Sequence, residues 1–397
     1  MIKLGYIRKT SFLFIVLISF ALTACGGGET NDFTPIKENP AESRGKLLSS
    51  QLIATKKASF IIPYIVDSYK IIYYTIDVKG NKIKASGLLS IPKKDFGEES
   101  PLLSYQHGTI FLNTQAPSNS STAADSIMTL AGTGYIVSAP DYIGYGESAG
   151  QIHPYIHADS LANASIDMLR ASKTFLQSRQ VRTNGQLFLA GYSEGGYATL
   201  AQQKMIQEKH QNEFTVTASA AGAGPFDLTE TSKTLANQVT NEKPAYMSFL
   251  LKAYDVVYDL DKIDEMYQAE YVNSINTMFD GNHSTGSITD SLTTDTASLF
   301  NASFLEILKG SDDHVIKEKL ALNNIYDWNP TAPTRFYHGQ NDEVVPYSNS
   351  LKALNTMRAN GASTVSLRRC PLNTHVQCAV PYVLDTLSFF SDYVSDL

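Results

Sequence analysis

Short apolar runs alternate with amphipathic stretches along most of this chain. Residues 69–77 and 82–91 are rich in β-branched and aromatic residues and flank Lys79-Gly80-Asn81, which predicts an antiparallel hairpin. Residues 101–106 predict a third strand, 123–131 a helix closed by Gly132 and Gly134, and 135–139 a fourth strand. Leu161, Ile166, Leu169 and Phe175 recur at helical spacing, predicting a long helix over 159–179. Strands at 187–190 and 214–221 then bracket a helix at 197–209. The C-terminal part reads as strand 334–338, helix 351–358, strand 364–369 and helix 379–394. Such alternation implies an α/β fold with a mostly parallel central sheet and helices on both faces. Ligands of these sheets collect at the carboxyl ends of the strands.

The alternation breaks between Asp227 and Pro330. Helix-like pieces at 246–258, 263–279, 298–308 and 315–322 follow one another without a strand. This predicts a helical cap over 228–330, inserted between core segments 51–227 and 331–397. The apolar residues Phe249, Leu250, Tyr254, Val257, Phe300 and Phe304 either line a pocket there or pack on the core.

The N-terminus has a different pattern. Lys3, Arg8 and Lys9 precede an apolar stretch at 12–21 that is too short for a good membrane span, which marks 1–25 as a signal peptide. Leu22-Thr23-Ala24-Cys25 resembles the lipobox of bacterial lipoproteins. That resemblance implies cleavage before Cys25, acylation of Cys25, and a membrane as partner through the lipid anchor. Gly26 in the next position points, by the same resemblance, to the outer membrane. Residues 26–50 read as a flexible tether. Net charge is −7 with no Lys/Arg cluster, which argues against nucleic acid as a partner. In an exported protein the remaining cysteines, Cys370 and Cys378, are expected to pair as a disulfide, and no cluster of ligands around them suggests a metal.

The candidate chemistry centres on Gly191-Tyr192-Ser193-Glu194-Gly195, a Gly-x-Ser-x-Gly string between a predicted strand and a predicted helix. A serine needs a base and an acid to become a nucleophile. His375, before the last helix, is the expected base. Asp342, after the strand at 334–338, is the expected acid, with Asp227 and Glu343 as competitors. The amide of Glu194 and an amide of the Gly108–Thr109 loop, Thr109 preferred, are the expected donors to an oxyanion. A second copy of the motif, Gly146-Glu147-Ser148-Ala149-Gly150, lacks the strand and helix. His107 and His338 read as structural, and His153 and His157 as capping or packing residues rather than metal ligands.

Ser193, Asp342 and His375 in that order, with Tyr105-Gln-His-Gly-Thr109 and Pro140-Asp-Tyr-Ile-Gly-Tyr-Gly146 upstream, resemble the α/β-hydrolase superfamily. The two upstream pieces are similar to secretory lipases and related bacterial esterases. The resemblance implies a cofactor-independent serine hydrolase, and the aromatic-rich helical cap, with no Arg cluster for an anionic group, points to an ester with an acyl or aryl group as substrate. A peptidase of the prolyl-oligopeptidase type is the enzymatic alternative. A non-catalytic surface binding module on the same fold is the alternative of another class.

Overall fold

The computed structural model describes residues 43–57, 62–310, 313–372 and 374–397. The expected signal peptide, Cys25 and the first part of the expected tether lie outside the described residues. Three antiparallel strands open the described chain: β1 (Leu47–Lys56), β2 (Val66–Ile76) and β3 (Lys82–Pro92). The β2–β3 turn is held by Asp77, whose carboxylate accepts from the amides of Lys79 and Asn81 at 2.9 and 2.8 Å. β1 was not expected. It starts at Leu47, inside the stretch read as tether, and is an edge strand with mostly exposed side chains. Its ladder to β2, not a buried face, holds it in place.

The core continues with β4 (Glu99–Gln106), α1 (Ser121–Ala131), β5 (Ile136–Pro140), α2 (Ala158–Ser178), β6 (Arg182–Tyr192), α3 (Glu194–Lys209) and β7 (Val216–Gly222). Seven helices follow: α4 (Leu228–Ala236), α5 (Pro244–Val257), α6 (Ile263–Met266), α7 (Ala269–Thr277), α8 (Thr285–Asp290), α9 (Thr296–Leu299) and α10 (Ala302–Lys309). After α11 (Val315–Leu322), the chain returns to the sheet through β8 (Thr334–Gly339), α12 (Ser348–Ala359), β9 (Val365–Cys370) and α13 (Ala379–Phe390).

The sheet order is β1-β2-β3-β5-β4-β6-β7-β8-β9. β3 meets β5 antiparallel, and every pairing from β5 to β9 is parallel. From β4 the chain steps to one side for β5 and then to the other side for β6. That reversal leaves a crevice outside the carboxyl ends of β4 and β6, where open α/β sheets bind ligands.

Alternation along β6 shows how the layers form. Leu187 and Leu189 face a core shared with Leu161, Ile166 and Leu169 of α2 and Leu200 of α3. Phe188 and Ala190 face the opposite layer, with Ile127 and Met128 of α1 and Phe389 and Phe390 of α13. The Phe188 and Phe390 rings lie 4.7 Å apart. Burying each such side chain contributes roughly 1.5–3 kcal/mol.

Two helices expected in the insertion are each broken. Residues 263–279 divide into α6 and α7, and 298–308 into α9 and α10. The two breaks meet: Tyr267 pairs with Phe300 in an antiparallel bridge, and Gln268 N–H and Asn301 N–H donate to the Leu299 and Met266 carbonyls at 3.1 and 2.9 Å. Each break satisfies the other's backbone, and the rings of Tyr267 and Phe300 pack at a tilt with centroids 4.9 Å apart. Among the described residues no helix is long and apolar enough to cross a membrane.

Candidate active site

Ser193 is the single residue between the end of β6 and the start of α3. Its backbone has φ 62° and ψ −125°, a conformation that side chains rarely adopt. The turn is closed by Ser193 N–H donating to Gly222 O at 2.8 Å. It also requires glycine at both flanks. A β-carbon at Gly191 would lie 2.3 Å from the Gly195 carbonyl oxygen, and one at Gly195 would lie 2.1 Å from the Gln106 carbonyl oxygen. The strained turn therefore holds the Ser193 hydroxyl at the positive end of the α3 dipole.

Asp342 and His375 come from the loops after β8 and β9. His375 Nδ1 lies 2.6 Å from Asp342 Oδ2, and His375 Nε2 lies 2.9 Å from Ser193 Oγ. An ionised carboxylate only accepts, so Nδ1 carries the proton and Nε2 is left to accept from the serine hydroxyl. Burial by itself would raise the Asp342 pKa. Hydrogen bonds from His338 and His375 outweigh it and hold the carboxyl well below its usual range. Asp342 Oδ1 also accepts from the amides of Val344 and Val345 at 2.9 and 2.8 Å.

The His375 backbone is fixed on two sides. Its N–H donates to Glu343 Oε2 at 3.1 Å, and its carbonyl accepts from Tyr192 OH at 2.8 Å. The expected disulfide joins Cys370 to Cys378 and closes the loop that carries His375. Of the competing candidate acids, Glu343 instead accepts from the His375 main chain. Asp227 is elsewhere, capping α4 through Glu230 N–H at 3.1 Å and paired with Lys352.

The loop after β4 lies against the serine. A β-carbon at Gly108 would sit 3.8 Å from Ser193 Cβ and 3.1 Å from the Tyr192 carbonyl oxygen. His107 Nδ1 is 2.8 Å from the Gly108 carbonyl oxygen, and burial pushes the His107 pKa down, so the neutral ring donates there. In a trans peptide the C=O and the following N–H point opposite ways, so the Thr109 N–H is turned away from His107. The Thr109 and Tyr155 hydroxyls share a hydrogen bond of 3.0 Å. Glu194 is the first residue of α3, where the helix itself provides no acceptor for its N–H.

The other singled-out residues are structural. Ser148 is buried and bonded within its own loop; it accepts from Gly144 N–H at 3.0 Å and donates to Tyr145 O at 2.8 Å. His157 caps α2, while His153 contacts Glu194. His338 does more than its sequence context suggested. Its Nε2 reaches the Val345 carbonyl at 3.0 Å and Asp342 Oδ2 at 3.2 Å, so it helps hold the Asp342 carboxylate. Four positions separate it from Asp342, but only the turn after β8 brings the two side chains together.

A cavity of about 50 Å³ opens beside Ser193 and Glu194, lined by Tyr155, Leu228, Tyr246, Met247, Leu250 and Val345 among others. Of the cap residues read as pocket or packing, Leu250 lines it. Phe249, Tyr254, Phe300 and Phe304 pack in the core, with Phe249 stacked 4.6 Å from Tyr155. A larger open groove of about 800 Å³ lies at the other ends of β4 and β6, by Ser100 and Arg182, away from this chemistry.

The secretory lipase family profile matches residues 114–394, most of the chain. The chain belongs to the secretory lipase family. A Legionella pneumophila protein assigned as a hydrolase is similar in structure, with 27% identity, TM-score 0.82, and coverage of 87% of this chain and 98% of that one. The rice cell wall degrading esterase LipA from Xanthomonas oryzae is similar at 26% identity and TM-score 0.82, over 89% of this chain and 100% of that one. Candida antarctica lipase A in its closed state, at 16% identity and TM-score 0.67 over 91% and 85%, shares the fold. No curated protein matches the sequence. As a secretory lipase family member with esterase and hydrolase neighbours, this chain is an α/β-fold hydrolase of the lipase and esterase kind.

Proposed function

We propose that this family member is a serine carboxylic-ester hydrolase working through Ser193, His375 and Asp342. The observation that carries the reading is the unbroken hydrogen-bond chain from Ser193 Oγ to His375 at 2.9 Å and on to Asp342 at 2.6 Å. In the mechanism, Ser193 Oγ attacks the ester carbonyl while His375 Nε2 takes its proton, and Asp342 stabilises the imidazolium. Negative charge gathers on the former carbonyl oxygen and is met by the amides of Glu194 and Thr109. Collapse expels the alcohol with the proton from His375 and leaves an acyl-enzyme. Water, deprotonated by His375, attacks that ester, and the second collapse releases the acid and frees Ser193.

The apolar cavity beside Ser193 supports an acyl or aryl group on the substrate. The likeness to a cell wall degrading esterase supports ester over peptide bonds. In this reading the chain is exported and held at a bacterial membrane by acylated Cys25, with the outer membrane as its place; the support is the sequence at 1–26. Division into an α/β core (51–227 and 331–397) and a cap (228–330) fits the run of helices from α4 to α11, although the tether ends before β1.

The test uses purified protein on nitrophenyl esters of short and long acyl chains and on aminoacyl anilides, beside Ser193→Ala. Ester turnover should fall by on the order of a millionfold in the variant. Unchanged ester turnover would refute the serine mechanism, and hydrolysis of anilides alone would favour a peptidase.

A further inference from the structure

The residue after the nucleophile is a glutamate whose side chain is 0% exposed. Its Oε1 lies 2.6 Å from His153 Nε2, on a ring that is itself 2% exposed. His153 Nδ1 lies 2.6 Å from the Ile143 carbonyl oxygen, which can only accept. Nδ1 must therefore bear a proton. A second proton lies in the Nε2···Oε1 contact, because two bare acceptors would repel at that distance. Whichever atom holds that proton, the pair is neutral as a unit. Glu194 Oε2 has no hydrogen-bond partner among the described residues.

Among the described residues the ion-pair partner of Glu194 is His153, and the positive end of the α3 dipole adds only a partial charge. The rings against His153 are Tyr142, Tyr145, Tyr155 and Phe249, none of them cationic. His107 stacks 4.0 Å away on Tyr142, and burial pushes its pKa down. Without His153, Glu194 would be a buried, unpaired anion, which is strongly unfavourable. Its carboxyl carbon is only four bonds from its own amide nitrogen.

We propose that His153 is a positioning residue for the oxyanion site: it neutralises Glu194 so that the Glu194 amide, and not its carboxylate, sets the potential felt by the reacting carbonyl. This rests on the reading of Ser193 as nucleophile and the Glu194 amide as donor. The segment that supplies His153 also holds the other donor loop. Tyr142 OH donates to the His107 carbonyl at 3.2 Å, Tyr145 OH to the Ile110 carbonyl at 2.5 Å, and Tyr155 OH meets the Thr109 hydroxyl. One segment, 141–157, thus ties the loop after β4 to the turn after β6.

The experiment compares kcat and KM on a nitrophenyl ester for wild type, His153→Gln, Glu194→Gln, the double variant and Ser193→Ala. A glutamine at 153 can donate to the carboxylate but cannot neutralise it. His153→Gln should lower kcat by about a hundredfold, the scale of losing one oxyanion donor, with KM within about threefold. Adding Glu194→Gln removes the charge and should restore at least about tenfold of that loss. A double variant as slow as His153→Gln, or a His153→Gln enzyme as fast as wild type, overturns the proposal.

If His153→Gln fails to fold, the double variant is compared with Glu194→Gln alone. With no carboxylate left to neutralise, the two should differ by less than about tenfold in kcat, and a hundredfold gap overturns the proposal. Ester turnover surviving in Ser193→Ala overturns the active-site reading first and this proposal with it. Loss in Ser193→Ala with no rescue by Glu194→Gln overturns this proposal alone.

Discussion

Asp342 meets His375 through one carboxylate oxygen at 2.6 Å and, through the other, accepts the amide protons of Val344 and Val345. Asp342 is thus clamped by its own turn as well as bonded to the imidazole. Asp342→Asn would keep the shape but place an amide where a charge should stabilise the imidazolium. We expect kcat to fall by about 10⁴ at neutral pH, with the fold retained. A loss under tenfold in steady-state assays would mean that Asp342 is not the acid.

The same carboxylate links stability to pH. Its folded pKa lies below its unfolded value of about 3.9, so the ionised form favours folding. This contribution is complete above roughly pH 5 and is lost as pH falls through the folded value. Urea midpoints at pH 7 and pH 3 should therefore drop less in Asp342→Asn than in wild type. Equal drops would show that Asp342 ionisation is not coupled to folding.

At Thr109 the proposed donor is the main chain, while the side chain bonds Tyr155 at 3.0 Å. Thr109→Ala should reduce kcat by less than about tenfold, since deleting a true oxyanion donor costs about 10²–10³. A loss of a hundredfold would make the hydroxyl the donor and require a different second contact.

The two Gly-x-Ser-x-Gly strings should separate cleanly. Ser148 bonds only its own loop, so Ser148→Ala should lower stability by about 1 kcal/mol and leave kcat within about twofold. Chemical denaturation and ester kinetics on one preparation read both. A large kcat loss at normal stability would contradict the structural role.

The Cys370–Cys378 bridge closes a loop with sequence separation 8 around His375. Opening a loop of that size should cost about 2.5 kcal/mol. Cys370→Ser with Cys378→Ser should also lower kcat more than KM, because His375 loses its restraint. Unchanged midpoint and kcat would show that Glu343 and Tyr192 suffice to hold it.

Local pattern made most of the core legible. The helical spacing at 159–179 corresponds to α2, which buries one face, and the apolar run at 187–190 to β6, which is buried on both. β1 was invisible because an edge strand with exposed side chains has no buried face to write into its sequence. The helices expected at 263–279 and 298–308 failed for a related reason. Their breaks at Tyr267 and Phe300 satisfy each other's backbone, a contact between segments far apart in sequence.

By itself the sequence determined most core strands and helices from β2 onward, the strand–turn–helix setting of Ser193, and the chain order of candidate nucleophile, acid and base. Those features depend on neighbours a few residues away, where backbone sterics and side-chain periodicity act. Tertiary structure decided the rest: that Asp342 and not Asp227 meets His375, that His338 holds Asp342, that Ser148 is structural, and that Glu194 is paired with His153. Asp342–His375 and Glu194–His153 are contacts between segments that follow different strands, whereas His338–Asp342 and the Ser148 bonds are set by the path of a single turn. Only the reversal of strand order at β4 and β6 and the buried, low-dielectric packing around it place those groups within hydrogen-bond reach.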